Sequence, residues 1–258
     1  MRRRFRSHGQ PIARFVAPAL LLVLSACTVS DDPSGINDPY EDVNRATHEF
    51  NKNLDRYALR PLSQAYGTVL PSPVRTGIDN ATDNLGTPRA ALNKALQGDL
   101  DSATHNTFRF LLNSTVGIFG LFDFASSFGL ERRDTGFNET FAKWGVDEGA
   151  YLELPFLGPS TERAAASIVL DFVTNPIGYI SDDRDYVSAR IIGFVGTTLN
   201  YRYTFSTTID GVLYESTDSY AQLRSFYLQN SRFNIGVADD GTIDESLIDD
   251  LYGDLYNE

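Results

Sequence analysis

The stretch from Phe110 to Leu130, FLLNSTVGIFGLFDFASSFGL, constrains this chain more than any other. It holds 12 apolar residues, three glycines and one charge, Asp123. Phe119, Phe122, Phe124 and Phe128 crowd into its second half, a density that a soluble loop rarely exposes. Its length approaches the roughly 20 residues that cross a bilayer. Asn113-Ser114-Thr115, Asp123 and the glycines interrupt it, however, and unsatisfied backbone is costly in hydrocarbon. A simple transmembrane helix therefore fits poorly. Two readings stay open: a buried pair of core helices, as apolar stripes usually are, or a helix–glycine turn–helix unit lying in one leaflet.

The N-terminus bears on that choice. Arg2, Arg3, Arg4, Arg6 and Arg14 precede an apolar run of ten, Phe15–Leu24, and no acid occurs before Asp31. Ten residues are too few to span a bilayer but match the core of an export signal. The run ends in Leu24-Ser25-Ala26-Cys27, which resembles the lipobox of bacterial lipoproteins. This reading makes residues 1–26 a lipoprotein signal peptide and 27–37 a lipidated Cys27 with a flexible tether. Cys27 would carry a diacylglycerol and an N-acyl chain. At about 0.8 kcal/mol per buried methylene, three chains anchor a protein for practical purposes permanently. An ordinary secretory signal with an incidental thiol is the other reading. Thr28 stands where an inner-membrane retention signal would place Asp, so the expected address is the periplasmic leaflet of the outer membrane. Arg2-Arg3 matches only the start of a twin-arginine signal.

Charge sharpens the picture. The chain's formal net charge is −12, and removing the five leading arginines takes the remainder to −17. So acidic a domain is unsuited to nucleic acid, whose phosphates need a basic face. One cysteine excludes an intramolecular disulfide and a multi-thiolate zinc cage.

The spacing predicts a mainly α-helical domain over 38–236 with long irregular connections. Asp38-Pro39-Tyr40-Glu41 reads as a capped helix start, with Asp38 as the cap, and the helix runs to about Arg60, where Pro61 bends or ends it. Further helices are expected after Pro71-Ser72-Pro73, over Pro88–Leu96 and over Asp99–Thr115. Ser160 is expected to cap a helix reaching Thr174, and two more cover 183–203 and 211–231. The best strand candidate is Ala150–Pro155. Residues 237–258 form an acidic amphipathic tail with Ile243, Leu247, Leu251 and Leu255 four apart.

Catalytic motifs are missing. There is no Gly-x-Ser-x-Gly elbow, phosphate-cradling glycine loop or His-Glu-x-x-His. His48 and His105 each stand alone on a helix and read as surface or interhelical residues, and no metal site is expected. Asp182, Asp183 and Asp185 could bind calcium, but compensation of a helix dipole explains such acids more often.

Several segments then fall in a familiar order. They are the lipobox, Asp38-Pro39-Tyr40-Glu41-Asp42-Val43-Asn44-Arg45, Arg60-Pro61, Leu96-Gln97-Gly98-Asp99, Arg109 to Gly117 with Gly120 and Asp123, Trp144-Gly145-Val146, Gly149-Ala150-Tyr151 and Leu154 to Ser160. Over roughly 37–232 the chain resembles the MlaA/VacJ family of outer-membrane lipoproteins. It departs at Asn138–Lys143, where the family often has a glycine-rich approach, and at Arg163-Ala164, where it often has Arg-Asp.

The resemblance implies a single helical, ring-like, monotopic domain embedded in the inner leaflet of the outer membrane. It implies a non-enzymatic role without a cofactor: stray phospholipids leave the outer leaflet through a channel and pass to a periplasmic phospholipid carrier. An outer-membrane porin trimer is the implied membrane partner, and an inner-membrane ATPase complex the final acceptor. Ile118, Phe119, Leu121, Phe122, Phe124 and Phe128 become membrane-embedded candidates. Asp123 becomes a channel-lining candidate, with helix capping or pairing to Arg132 or Arg133 as its alternative. A structural lipoprotein that only scaffolds porins is the competing function.

Overall fold

The computed structural model describes residues 36–174 and 184–236. The signal, Cys27 and the tether up to residue 35, Asp182, Asp183 and the acidic tail lie outside the described residues. The fold is mainly α, as expected. Helix α1 (Glu41–Leu54) passes through a π-helical turn (Asp55–Leu59) into α2 (Arg60–Val69). Helices α3 (Ser72–Leu96) and α4 (Leu100–Thr115) form a hairpin, followed by short α5 (Phe124–Ser127) and α6 (Phe137–Lys143). Strands β1 (Tyr151–Leu154) and β2 (Gly158–Thr161) make one antiparallel ribbon leading into α7 (Glu162–Val173). The chain ends in α8 (Arg184–Thr204), α9 (Ser206–Asp210), a second π-helical turn (Gly211–Glu215) and α10 (Ser219–Gly236). Helix α3 packs along both α4 and α8, and α8 also lies on α2.

Local expectations needed five corrections. The first helix does not stop at Arg60. Pro61 supplies no N–H, and the π turn, closed by the Arg60 N–H to the Asp55 carbonyl, carries the helix past it. Pro88 likewise starts no new helix but lies inside the 25-residue α3, which its packing on α4 keeps continuous. Ser160 belongs to β2, and Thr161 caps α7 by accepting from the Ala164 N–H at 3.3 Å. The helix expected over 211–231 is broken between the π turn and Ser219, where the Asp218 carboxylate accepts the Ala221 N–H at 3.0 Å. Finally, Asp38 caps nothing. Tyr40 holds the cap position without a side-chain bond. Asp38 instead accepts from Asn44 Nδ2 at 2.9 Å and from Tyr220 and Arg224 of α10. The same first turn reaches α10 again through Arg45, which bonds Asp218 at 2.9 Å.

Helix α1 also covers the ribbon. Asn44 donates to the Tyr151 carbonyl at 3.0 Å and accepts from the Glu153 N–H at 2.9 Å. Asn51, two turns on, repeats this with the Leu154 carbonyl and the Phe156 N–H. Two asparagine amides thus stand in for the strand that the edge of β1 lacks. Tyr151, Tyr220 and Leu228 form the small apolar cluster beside this joint.

Elsewhere the usual polarity is inverted. Among the described residues eight hydrophobic side chains are buried, four of them alanine, against twenty polar or charged ones. Large apolar side chains face outward instead: Phe108 and Leu111 on α4, and Ile191, Ile192, Phe194 and Val195 on α8. A water-soluble fold buries its large apolar residues, so this surface is built for another environment.

Asp38 joins the start of the described chain to α10 through two partners at once, Tyr220 and Arg224. Asp38→Ala leaves the Tyr220 hydroxyl without its acceptor and the largely buried Arg224 with only the longer pair to Glu41 at 3.5 Å, and is expected to cost roughly 3 kcal/mol. Thermal unfolding followed by circular dichroism should show Tm lowered by about 6–12 °C.

Candidate functional site

Helix α3 carries a polar stripe at helical spacing: Ser72, Arg75, Thr76, Asp79, Asn80, Asp83, Asn84 and Thr87. At 1.5 Å per residue it runs for about 22 Å. At one end is a cleft of about 580 Å³ where Ser72, Arg75 and Thr76 meet Gln64 of α2 and Asn200 and Tyr203 of α8. At the other, Asn80, Asp83 and Asn84 face Arg109, Asp123 and Arg132 across a narrow polar pocket. Between them the Tyr66 hydroxyl, Asp79 Oδ1 and Thr197 Oγ1 are buried without a hydrogen-bond partner. Buried polar atoms are rarely left so, which makes this seam a polar one rather than an apolar core. Sequence reading missed the stripe because it followed apolar periodicity alone; the three- and four-residue spacing of the polar side chains was the available signal.

The phenylalanine-rich segment closes over the middle of this stripe. After α4 the chain turns through Ile118, Phe119 and Gly120 at φ of 52°, 57° and 89°. Left-handed backbone is uncommon for phenylalanine and a genuine outlier for β-branched isoleucine, so the hook is strained. Gly120 is obligatory on two counts: its φ, and the 2.4 Å that would separate an added Cβ from Asn84 Cβ. Asn80 Nδ2 donates to the Leu121 carbonyl at 3.3 Å, pinning the hook to α3, and Asn84 Nδ2 donates to Ser114 Oγ at 2.9 Å at the end of α4, just before it.

All six residues expected to meet the membrane are exposed: Phe119 at 81%, Phe128 at 71%, and Ile118, Leu121, Phe122 and Phe124 between 39% and 55%. The reading of this segment as a buried helix pair is therefore wrong. Its second half makes only the four-residue α5, and its apolar side chains point away from the protein.

Asp123 sits under the hook. It caps α5, accepting from the Ser126 N–H and hydroxyl at 3.3 and 2.7 Å. Its ion-pair partner is Arg109 at 2.7 Å, with Asn113 adding a bond at 3.0 Å. Arg132 pairs with Asp83 and Asp134 instead, and Arg133 with Asp101. The capping alternative is thus the observed one, but the cation is Arg109, brought into place by α4 one turn before Asn113. Burial pushes the Asp123 carboxyl up, while the bonds from Ser126, Arg109 and Asn113 outweigh it and hold it at about 2. Asp123 also borders the narrow polar pocket.

One cluster has the outline of a hydrolase. His48 Nε2 lies 2.9 Å from Ser219 Oγ, and His48 Nδ1 lies 3.6 Å from Glu153 Oε1. A nucleophile relay needs a hydrogen bond at each step. The Glu153 step has none, since Nδ1 is unpartnered. Lys52 Nζ also holds the Ser219 hydroxyl at 3.2 Å, and Ser219 is buried. These residues pin α1 to α10 and β1. His48 is interhelical, as one of the two readings had it, and His105 binds the Glu131 carbonyl at 2.7 Å. Among the described residues no cluster of three or more His, Cys, Asp or Glu side chains could hold a metal ion.

Comparison with known proteins agrees with this arrangement. The family model for the MlaA lipoprotein matches residues 36–234. Similar chains include an uncharacterized protein of Rickettsia felis, 35% identical over 191 residues that make up 74% of each chain. The intermembrane phospholipid transport system lipoprotein MlaA of Haemophilus influenzae is 29% identical over 249 residues, 91% of this chain and 94% of that one. The Escherichia coli protein of the same name is 31% identical over 216 residues, 82% and 84%. A chain solved in work on the structural basis for maintenance of bacterial outer membrane lipid asymmetry superposes with a TM-score of 0.67 at 33% identity, covering 77% of this chain and 98% of that one.

The depressed Asp123 carboxyl fixes the sign of one pH effect. Its stabilisation is complete above the ordinary carboxylate range and is lost as pH falls from about 4 towards 2. Asp123→Asn leaves the buried Arg109 without its counter-charge and should destabilise the fold by roughly 2 kcal/mol at neutral pH. Acid titration followed by near-ultraviolet circular dichroism should show the variant losing less between pH 4 and 2 than the parent.

Proposed function

Because the chain belongs to the MlaA lipoprotein family, we propose that it removes mislocalised phospholipid from the outer leaflet of the outer membrane and passes it to a periplasmic carrier. The observation that carries this reading is the inverted polarity: a polar track about 22 Å long on α3, beside an outward-facing apolar hook. A phospholipid has the same two-part chemistry. Its head group requires a polar lining, and its acyl chains gain from staying in contact with hydrocarbon.

The domain lies as a ring in the periplasmic leaflet of that membrane, held by the lipids on Cys27 after removal of residues 1–26. Residues 27–37 are the tether, 38–236 the lipid-handling domain and 237–258 an acidic tail. Ile118, Phe119, Leu121, Phe122, Phe124 and Phe128 enter the acyl-chain region from one side. Among the described residues no helix is long and apolar enough to cross a membrane, which fits a protein embedded in one leaflet. A porin trimer supports the ring laterally. Translocation makes and breaks no bond, so the role is non-enzymatic and phospholipid is cargo, with no cofactor. Asp123 borders the track and shapes it chiefly by fastening the hook to Arg109.

Acidity does not oppose this placement. A net charge of −17 gives no long-range attraction to anionic head groups, so the hold depends on acyl chains and apolar side chains. A lipoprotein that only scaffolds porins would need the apolar surface but not the polar track.

Purified mature protein should require detergent and carry phospholipid; a lipid-free, monodisperse domain in plain buffer would refute the proposal. Phe119→Lys and Phe122→Lys, both at exposed positions, should loosen membrane retention in carbonate extraction while leaving Tm within a few degrees. Cys27→Ala should leave uncleaved precursor without acyl label. Deleting the gene should raise outer-leaflet phospholipid; unchanged lipid with impaired porin assembly would favour the scaffold.

A further inference from the structure

The cleft at the start of α3 allows the cargo to be specified further, an inference that rests on the transport reading. Arg75 is fixed there on three sides. Its Nε donates to the Leu70 carbonyl at 3.2 Å, its Nη1 to Asn200 Oδ1, and its guanidinium lies 5.0 Å from the centre of the Tyr203 ring. Gly67 makes that ring position possible: a Cβ at residue 67 would lie 2.2 Å from Tyr203 Cγ. Both hydrogen-bond partners of Arg75 are neutral, whereas Arg109, Arg132 and Arg202 are each paired with carboxylates. Arg75 Nη2 has no protein acceptor among the described residues. The cleft around it is lined by hydroxyls and amides, including Gln64, Ser72, Thr76, Thr204 and Ser206, with no carboxylate.

A preorganised guanidinium with spare donors, walled by hydroxyls, is suited to a phosphate oxygen. The next turn of α3 adds a second element. Asp79 Oδ2 accepts from Asn200 Nδ2, while Asp79 Oδ1 is buried without a partner. Asn200 therefore spans the pair, presenting an acceptor to Arg75 and a donor to Asp79. A phosphate followed by an ammonium presents the same polarity over one helical turn, about 5.4 Å. We propose that this cleft receives the head group of an amine-bearing diacyl phospholipid, with its phosphodiester on Arg75 and its ammonium directed toward Asp79, which lies one turn further along α3, behind Asn200 and outside the cleft's own lining. An anionic head group without an amine would meet Arg75 alone and be repelled by Asp79.

The test uses the full-length lipidated protein in mild detergent, loaded from micelles holding equal phosphatidylethanolamine and phosphatidylglycerol, with bound lipid quantified by mass spectrometry. Wild type should carry phosphatidylethanolamine in excess. Arg75→Ala should lose roughly tenfold or more of both lipids. Thr76→Asp keeps Arg75 but sets a carboxylate beside it at an exposed position, and should lose lipid to the same extent; it decides the matter if Arg75→Ala unfolds. Asp79→Asn should remove the preference for the amine head group while retaining phosphatidylglycerol. Excess inorganic phosphate should not displace bound lipid; displacement would mean that the cleft reads bare phosphate and would overturn the lipid assignment. Loaded wild type with equally loaded Arg75→Ala and Thr76→Asp overturns this site and leaves the transport reading intact. Wild type that takes up no phospholipid overturns both. Equal loss of the two lipids in Asp79→Asn overturns the ammonium contact.

Discussion

An ion taken out of water without a partner costs several kcal/mol, and this protein removes many from water. Its apolar clusters are small, so the pairing of buried charge, more than the fit of a hydrophobic core, decides which helices lie together. Arg202 of α8 holds Asp55 at 2.7 and 2.9 Å and also Asp210, joining the first π-helical turn to the end of α9. Tyr214 adds its hydroxyl to Asp55 at 2.7 Å. Arg109 ties α4 to the hook through Asp123, and Asp38 ties the chain's first turn to α10. Arg89 joins α3 to α7 through Asp171 at 2.9 Å. Pairs of this kind contribute little net stability compared with well-packed apolar replacements, but each is expensive to break. They select one arrangement of helices and penalise its neighbours.

That reliance on charge follows from what the outside of the molecule does. With Phe108, Leu111, Phe119, Phe128, Ile192 and Phe194 exposed, the apolar side chains that would normally fill an interior are already used. The interior must then be polar and must satisfy itself. The asparagines show how. Asn44 and Asn51 complete the edge of β1, Asn113 serves both Asp123 and the Ala125 N–H, and Asn106 holds the Arg133 carbonyl at 2.9 Å. An amide offers a donor and an acceptor in one rigid plane, so it can join two backbones where an apolar side chain would leave both unpaired.

The sequence disclosed the parts of this design that leave a local periodic trace. The helix expected over Asp99–Thr115, the short strand at Tyr151–Leu154 and the helical character of the whole follow from such patterns. It was less informative where tertiary contact overrides local preference. Pro61 and Pro88 read as breaks, yet a π turn and long-range packing carry the helices through them. Asp38 has every local mark of a cap, but two of its three partners lie more than 180 residues away. The apolar run at 110–130 is ambiguous in principle, because composition alone does not say which side of a helix faces out. The polar stripe on α3 was legible by the same periodicity used for apolar faces, and reading only for buried hydrophobic residues concealed it.

The hook shows why strain and polarity belong to one device. Left-handed backbone at Ile118 and Phe119 costs of order 1–3 kcal/mol per residue and persists only where neighbours over-determine it. Here they do so from below: Asn80 grips it from α3, Gly120 packs against Asn84, and Asp123 fastens its far end to Arg109. Each of these anchors belongs to, or directly borders, the polar track, while the side chains thrust outward are apolar. The residues that line the track are thus the ones that hold the apolar hook extended beside it. A change in the track's hydrogen bonding would be felt at the hook, and pressure on the hook would be felt at Asn80, Asn84 and Asp123. Polar stripe and apolar hook thus share their anchors, Asn80, Asn84 and Asp123.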